Sequence, residues 1–569
     1  MHNETERRQF LSYFAALGLS SSLFPNQLWE KLQEHGTRRV TAEVLRDAVA
    51  VSGLTFSPRE IEAMLDGVNE NLTRYEALHA VRIDNSVAPP LYFNPVLPGM
   101  RIDRSRHPFR ASRPPTLARP RHLEELAFWP VLHLARLLQS GQVRSIELTE
   151  MYLDRLRRHN ASLNCVVTFT EERASRQARD ADREIAAGRY RGPLHGVPWG
   201  VKDIFATKGY PTTWGAAPFK TRVLDDDATV VSRLDAAGAV LIAKLTTGEL
   251  ALDDIWFGGQ TKNPWDLSMG SQGSSAGPAS AVAAGLVGFS MGSETLGSIV
   301  EPSGVCGVTS LRPTFGRVSR HGVMALSWSL DKVGPMCRSV EDCAVVLDAI
   351  QGPDDRDLAV QNVPFNWDPS LDVRTLRVGY LKAAFSDTRQ TARTDANDAA
   401  ALEQLRSLGI TLVEIDLPEH TPVDPLLVLY AEANAALADP VRAQPDLLVR
   451  QDRIARHNAV VFLTASDYLD VNRLRMSLMR KMADLMSGVD AYVVPFDYAD
   501  YTPNPVATLN TAITNLTGQP CALVPHGFNE KGNPTSLTFV GRVFGDATVL
   551  ALAKRYQDAT RWHLQHPRI

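Results

Sequence analysis

The sequence contains little cysteine, and its cysteines form no pattern. Its 569 residues include five scattered cysteines, an odd number without CxxC spacing. This usage argues against a disulfide framework or a zinc site and favours a reducing compartment. The 14 histidines form no HExxH or other metal-ligand pattern. The sequence therefore predicts neither a metal nor a cofactor.

A large excess of one charge and a long apolar run are also absent. The formal net charge is −4, which gives no electrostatic reason to expect nucleic acid or an anionic membrane as a partner. No apolar run reaches the length of about 18 residues that a membrane-spanning helix needs. Apolar residues make up 44% of the chain and charged residues 22%, as is ordinary for a globular protein that can bury a large core.

The first residues contain one candidate export signal. Arg7 and Arg8 precede an apolar stretch, as in twin-arginine signals. Against export, Glu4 and Glu6 precede the arginines, serines interrupt the apolar stretch and no A-x-A cleavage site follows. The sequence therefore favours a cytoplasmic location, with twin-arginine export as the open alternative.

The chain is predicted to have three parts. Residues 1–85 alternate amphipathic helical patterns with short breaks and predict a helical N-terminal appendage for packing or dimerisation, with a regulatory or substrate-gating role as the alternative. Residues 86–120 are rich in proline and arginine and predict an extended linker. From residue 121 to 569, strand-like runs alternate with helical patterns, which indicates an α/β domain with a mixed sheet covered by helices.

The individual strands and helices are predicted from the following segments. Runs rich in β-branched and apolar residues predict strands over 239–245, 376–381, 411–417 and 491–496. Periodic apolar positions predict helices over 41–51, 145–158, 172–187, 395–408 and 549–563. Ser57 followed by Pro58 predicts the start of one further helix.

The most informative stretch covers residues 270–302, where two clusters of serine lie among glycine and alanine. Small residues leave room for a serine hydroxyl and nearby N–H groups to converge on one bound carbonyl. Upstream, Lys202 lies in the apolar run GPLHGVPWGVKD, where an ammonium group is poorly solvated. Two serines and one lysine can activate a nucleophile without histidine, so the pattern indicates an enzyme.

Six ordered blocks carry a resemblance to a known family. They are GPLHGVPWGVKD (192–203), KNPWD (262–266), GSSAGPASAVAAG (273–285), GSETLGSIVEPSGVCGVTSLRPTFGRVSRHG (292–322), SLDKVGPMCRSVEDCAVVLDAIQG (329–352) and NLTGQPCALVPHGF (515–528). Through these blocks, residues 121–569 resemble the amidase signature family of serine hydrolases. The resemblance implies the amidase signature fold, which is α/β with one large central mixed β-sheet covered by helices.

The resemblance also implies a Ser-Ser-Lys relay. Ser298, in LGSIV, matches the nucleophile of the family. Ser274, the first serine of GSSAG, matches the bridging residue that follows a cis peptide bond, and Lys202 matches the final base. A lysine with its ordinary pKa is almost fully protonated at pH 7. The relay therefore predicts that Lys202 is buried and has a lowered pKa.

An oxyanion hole follows from the same resemblance. Its donors are four consecutive backbone N–H groups, those of Thr295, Leu296, Gly297 and Ser298. The sequence departs from the family pattern at three positions: Leu296 replaces a small residue, Glu294 replaces aspartate and Val300 replaces arginine. Without that arginine the carboxylate of Glu294 needs another partner, and the acyl pocket is predicted to be reshaped.

A competing motif overlaps this site. Residues 273–277 fit G-x-S-x-G, the nucleophile elbow of α/β-hydrolases, with Ser275 at the centre. An elbow follows a buried strand, whereas residues 263–272 are predicted to be a loop, so Ser298 is the preferred nucleophile. Cys306 is interpreted as a small buried residue, and His195 as a partner of backbone groups.

The predicted function is hydrolysis of carbon–nitrogen amide bonds, with esters and carbamates left open, through an acyl-enzyme on Ser298. One alternative is the amidase component of a tRNA-dependent amidotransferase, which releases ammonia from glutamine. Another is a catalytically inactive binding protein on the same scaffold. Residues 355–490 lack family-like blocks and are predicted to shape substrate choice. The predicted partner is a small-molecule amide, with a homodimer left open, and neither nucleic acid nor a membrane.

Overall fold

The computed structural model describes residues 40–79, 85–86, 91–387, 391–418, 425–443, 447–450, 463–496 and 504–569. The twin-arginine pattern lies outside these residues. The chain divides into two compact units, one of residues 1–84 with 462–464 and one of the remaining residues. The predicted boundaries of the appendage and of the linker stay predictions.

In the smaller unit, two helices begin where the sequence predicts. Helix α1 spans Ala42–Val51 and helix α2 spans Pro58–His79. The Thr41 hydroxyl accepts a hydrogen bond from the Val44 N–H at 3.3 Å and caps α1. The Ser57 N–H donates to the Glu60 carboxylate at 2.7 Å, and the Glu60 N–H donates to the Ser57 hydroxyl at 3.4 Å. This reciprocal capping box fixes the start of α2.

The larger unit is built around one mixed sheet of 11 strands. The strands of the chain are β1 (Val166–Phe169), β2 (Pro198–Lys202), β3 (Val240–Leu245), β4 (Ile255–Trp256), β5 (Gly259–Gln260), β6 (Lys262–Asn263), β7 (Asp266–Gly270), β8 (Phe289–Glu294), β9 (Thr309–Arg312), β10 (Lys332–Cys337), β11 (Arg377–Leu381), β12 (Thr411–Ile415), β13 (Ala491–Phe496), β14 (Cys521–Phe528) and β15 (Pro534–Gly541).

The strand order in the large sheet is β1-β3-β2-β8-β10-β9-β14-β15-β13-β11-β12. Strand β2 runs parallel to both β3 and β8, and β11 runs parallel to both β12 and β13. The other neighbours are antiparallel. The pairs β4–β5 and β6–β7 form two small separate sheets. The prediction of an α/β fold with a large central mixed sheet is confirmed.

Helices surround this sheet. They are α3 (Val131–Gln139), α4 (Ser145–Leu163), α5 (Glu171–Ala186), α6 (Thr229–Ala236), α7 (Ala276–Ala283), α8 (Val300–Cys306), α9 (Val340–Ile350), α10 (Lys382–Phe385), α11 (Ala392–Ser407), α12 (Pro425–Ala443), α13 (Ala465–Ser487), α14 (Pro505–Thr517) and α15 (Asp546–Thr560). The helices predicted over 145–158, 172–187, 395–408 and 549–563 correspond to α4, α5, α11 and α15. Helix α11 begins earlier than predicted because the Thr391 side chain caps it by accepting from the Thr394 N–H.

Residues 91–120 belong to the larger unit and are free of helices and strands. Arg106 donates to the Asn362 side chain at 2.8 Å, and Arg110 lies 3.1 Å from Asp368. The Ser112 N–H donates to the Glu341 carboxylate at 2.6 Å. These contacts hold the segment against residues 341–368, and its role as an extended linker stays a prediction.

The candidate site lies at the centre of the sheet. Strands β2, β3, β8 and β10 are buried along their whole length. Because β2 and β8 are parallel neighbours, their carboxyl ends lie at the same edge of the sheet. Lys202 ends one strand and Glu294 ends the other, so the sheet brings these two polar segments together within the protein interior.

Candidate active site

Lys202 is fully buried at the end of β2. Its ammonium nitrogen, Nζ, lies 2.7 Å from Ser274 Oγ and 2.9 Å from Ser293 Oγ. Strand β2 can lie this deep because Gly200 has no side chain: a Cβ there would lie 2.5 Å from a methyl group of Leu245 on β3. Two serine hydroxyls therefore lie within hydrogen-bond distance of the buried amine.

Burial lowers the pKa of Lys202 from 10.5 to about 7, although the negative charges of Asp331 and Glu294 oppose this shift. About half of the amine is therefore neutral near pH 7 and can accept a proton. Asp203 is not its partner, because that carboxylate forms an ion pair with the buried Lys244 at 2.9 Å. The predicted buried position of Lys202 and its lowered pKa agree with the structure.

Ser274 follows a cis peptide bond from Gly273, as the family resemblance implies. Its side chain is buried and faces the Lys202 amine. A side chain at Gly273 is excluded, because a Cβ there would lie 1.8 Å from the carbonyl oxygen of Asp253. Backbone crowding therefore requires glycine directly before the bridging serine.

Ser298 is partly exposed in the turn between β8 and α8. Its carbonyl oxygen accepts a hydrogen bond from the Ser275 N–H at 3.2 Å, which holds the turn beside Ser274. Among the hydrogen bonds of the described residues, none joins the Ser298 hydroxyl to Ser274. The structure thus brings Lys202 and Ser274 into direct contact, and holds the main chain of Ser298 against that of Ser275, the residue after Ser274.

The turn before Ser298 presents free backbone donors. Within the described part of the chain, no hydrogen bond uses the N–H groups of Thr295, Leu296, Gly297 or Ser298. Gly297 has φ +91°, and a Cβ there would lie 2.2 Å from the Glu301 carboxylate. The tight turn therefore depends on glycine, and its unpaired donors are suited to a developing negative charge on a bound oxygen.

Because Val300 provides no cation, the Glu294 carboxylate needs other hydrogen-bond partners, and the structure provides them. Its carboxylate accepts from Arg312 of β9 at 2.8 Å and from Asn515 of α14 at 2.9 Å. It also accepts from the N–H groups of Ile299 and Val300 at 2.9 and 3.0 Å, at the start of α8. Burial raises its pKa, but the cations Arg312 and Lys332 outweigh burial and bring the pKa to about 2.

The environment of Ser275 does not fit a nucleophile elbow. Strand β7 precedes it but pairs only with β6, outside the 11-stranded sheet. The Ser275 hydroxyl is buried, donates to the Ser293 carbonyl at 3.1 Å and accepts from the Ser293 N–H at 3.2 Å. The prediction of a plain loop over 263–272 is wrong, because the chain reverses there and forms the β6–β7 hairpin.

Cys306 is a buried residue and His195 a partner of a backbone group, as the sequence predicts. Cys306 is buried, its thiol lies 3.8 Å from the Ser271 carbonyl, and burial raises its pKa well above the usual range. His195 accepts from the Arg191 N–H through Nδ1 at 3.1 Å and packs against Gly238. It precedes β2, at the opposite end of the strand from Lys202.

The sequence interpretation missed several residues around the relay. The Ser293 hydroxyl accepts a hydrogen bond from the Lys202 amine, and Arg312 and Asn515 both donate to the Glu294 carboxylate. Asp331 accepts a hydrogen bond from the Thr295 hydroxyl at 2.6 Å. Ser293 and Asp331 lie within the blocks 292–322 and 329–352, so their place in the family-like sequence was the signal that could have identified them.

No group of three or more His, Cys, Asp or Glu side chains in the described ranges is arranged to hold a metal ion. A helix both long and apolar enough to cross a membrane is likewise absent from those ranges.

Comparisons with known proteins agree with this geometry. The Amidase family model matches residues 147–550. A glutamyl-tRNA(Gln) amidotransferase subunit of Nitrosomonas europaea is 34% identical over 471 residues, covering 76% of this chain and 96% of that protein. The corresponding subunit of Methylococcus capsulatus is 36% identical over 475 residues, covering 76% and 97%.

Solved structures show the same fold. The native peptide amidase from Stenotrophomonas maltophilia matches with TM-score 0.68 and 30% identity, covering 78% of this chain and 98% of that one. An amidase family protein from Bacillus anthracis matches with TM-score 0.70 and 26% identity, covering 79% and 94%. The family match spans most of the chain, and the polar cluster lies at the centre of the matched region. The chain therefore belongs to the Amidase family and is an amide-cleaving enzyme.

Proposed function

We propose that this protein hydrolyses carbon–nitrogen amide bonds of small molecules through an acyl-enzyme on Ser298. The observation that carries the proposal is the buried Lys202 amine, with a pKa of about 7, at 2.7 Å from the Ser274 hydroxyl. A neutral amine in that position can receive a proton from Ser274 while Ser274 receives one from Ser298. The same chemistry extends to esters and carbamates.

Each step of this reaction has a group to perform it. Ser298 Oγ bonds to the substrate carbonyl carbon, its proton passes to Ser274, and the Ser274 proton passes to Lys202. The carbonyl oxygen becomes an oxyanion opposite the four free N–H groups of residues 295–298. When the carbon–nitrogen bond breaks, the proton returns through Ser274 to the leaving amine, which must be protonated to depart. Water then attacks the acyl-enzyme along the same relay and releases the acid.

The direct test of the nucleophile is labelling with a fluorophosphonate, followed by peptide mass spectrometry. We expect an adduct on Ser298 in the wild-type chain, and no labelling or amide turnover in Ser298→Ala. Ser275→Ala is the matched control, since it removes a neighbouring hydroxyl that has only structural partners. Labelling that persists in Ser298→Ala and disappears in Ser275→Ala would favour the nucleophile elbow. A wild-type chain that does not react would favour the inactive binding protein.

A second candidate is the amidase component of a tRNA-dependent amidotransferase. The relatives of 34% and 36% identity, which are named as amidotransferase subunits, favour it. This candidate predicts ammonia release from glutamine and co-purification with a tRNA-binding partner. Turnover of p-nitroanilides, primary amides and carbamates by the chain alone, without glutaminase activity, would instead support the small-molecule hydrolase.

A cytoplasmic location accompanies this proposal. All five cysteines are free and buried, as expected for a protein folded in a reducing compartment. Fractionation of cells that express the full chain, with an antibody against its C-terminus, tests the location. Processing next to the Arg7-Arg8 pattern and recovery outside the cytoplasm would favour export.

A further inference from the structure

We propose that Asp331 is a positioning residue that holds the oxyanion turn in its productive shape through the Thr295 hydroxyl. This inference rests on the proposed function, because it assigns a role in stabilising the oxyanion formed at Ser298. It adds to the relay a side chain that contacts neither the nucleophile nor the amine.

The sheet register places Asp331 opposite Thr295. Strand β8 ends at Glu294, and the antiparallel strand β10 begins at Lys332, with these two residues paired. One step beyond this pair, the residue after β8 and the residue before β10 face each other. They are Thr295, the first residue of the donor turn, and Asp331. The two neighbours are therefore set by strand pairing, even though they lie outside both strands.

The contacts of Asp331 use both of its carboxylate oxygens. Oδ1 accepts from the Thr295 hydroxyl at 2.6 Å. Oδ2 accepts from the backbone N–H groups of Leu326 and Ser327, each at 2.9 Å. Asp331 therefore joins the donor turn to the 326–331 loop. Since Thr295 is itself buried, this contact fixes one end of the four-residue turn from inside the protein.

The 326–331 loop is in turn anchored to helix α12. The buried Glu432 carboxylate accepts from the Ser327 hydroxyl at 2.7 Å and from the Ser329 N–H and hydroxyl at 2.9 and 2.6 Å. Arg475 of α13 donates to the Ser329 carbonyl at 2.9 Å. Both helices belong to residues 355–490. The donor turn is thus connected through Asp331 to a loop that hydrogen bonds hold against two helices.

Because Asp331 is charged, its replacement should change the pH dependence of the rate, which the loss of a purely structural residue would not do. Its negative charge favours the protonated form of Lys202, as does that of Glu294. Among the described residues, the titratable and charged groups facing Asp331 itself are Arg320, Lys332 and Lys202. Removing the Asp331 charge must therefore lower the pKa of Lys202 and move the acid limb of the pH–rate profile to lower pH.

The test compares Asp331→Asn and Thr295→Val with the wild-type chain on an amide that the wild type hydrolyses. We expect kcat to fall in both variants by roughly 10- to 100-fold with little change in KM, since displacement of a catalytic group by ~1 Å can cost about 100-fold. The acid limb should move to lower pH in Asp331→Asn and stay in place in Thr295→Val. Thr295→Ser keeps the hydroxyl and should recover part of the kcat that Thr295→Val loses.

The double variant Asp331→Asn/Thr295→Val decides whether the two residues act together. If Asp331 acts through Thr295, the double variant is no slower than the slower single variant. Asp368→Asn, which removes a carboxylate at the linker contact, is the control and should behave as the wild type. Two outcomes would overturn this role. One is a double variant in which the two single losses of kcat multiply, and the other is an Asp331→Asn variant with the kcat and the pH profile of the wild type. A wild type without amide turnover or Ser298 labelling would instead overturn the proposed function.

Discussion

Lys202 carries a titratable amine at the end of a central strand, fully enclosed by protein. In the folded state its pKa is about 7, whereas in the unfolded chain it returns to 10.5. Between these values the unfolded chain binds more protons, so the free energy of unfolding must rise with pH in this window. The gain can reach about 5 kcal/mol, at about 1.4 kcal/mol for each pH unit.

Chemical denaturation of the wild-type chain and of Lys202→Met, measured from pH 7 to 10.5, tests this expectation. The methionine variant should be the more stable of the two near pH 7, and the difference should shrink as the pH rises. A difference independent of pH would show that Lys202 remains protonated in the folded protein. Because Lys202→Met lacks the base, the same variant also provides the inactive reference for the kinetic work.

At the residue scale, the sequence predicted Lys202, Ser274 and Ser298 because motifs carry them. The hydrogen-bond partners of the neighbouring Glu294 were harder to predict. The pairing of Glu294 with Arg312 joins residues 18 positions apart, and that with Asn515 joins residues 221 apart. Such contacts depend on which strands become neighbours, and this information is not local in the sequence.

Among the elements, strand β8 is tied to its surroundings by the Glu294 carboxylate. This buried group links β8 to β9 through Arg312, to α14 through Asn515 and to the first N–H groups of α8. Arg312→Met leaves a buried carboxylate without its cation, which typically costs about 3–5 kcal/mol of the free energy of unfolding.

Denaturant titration of Arg312→Met measures this loss. Glu294→Gln/Arg312→Met removes both charges and should recover part of the stability. Arg374→Ala breaks an exposed pair with Asp372 and should leave the free energy of unfolding close to that of the wild type. If Arg312→Met were as stable as Arg374→Ala, the ion pair would not contribute to holding β8.

The prediction of elements succeeded where local composition agrees with the structure. Strands β3, β11, β12 and β13 are rich in β-branched and apolar residues and were expected. Strand β2 (PWGVK) and strand β8 (FSMGSE) contain proline, glycine or serine, which disfavour strands in isolation. These strands form because parallel pairing in the centre of the sheet buries them. The sequence therefore did not predict these two strands, although they carry the site.

On the scale of the whole molecule, a single chain contains all the groups that the proposed reaction uses. Lys202 comes from β2, Ser274 from the segment before α7, and Ser298 with the four N–H donors from the turn between β8 and α8. The family blocks predicted this region and its fold. They did not predict the connection from Asp331 to Glu432, because α12 lies in the region without family-like blocks.

The most direct test is the rate of fluorophosphonate labelling at Ser298 as a function of pH, measured on the chain purified alone. Neutral Lys202 is the active form, so the rate should increase with pH through a midpoint near the lowered pKa of about 7 and then level off. A rate that increases only near the ordinary lysine pKa of about 10.4, or an adduct on another residue, would contradict the relay.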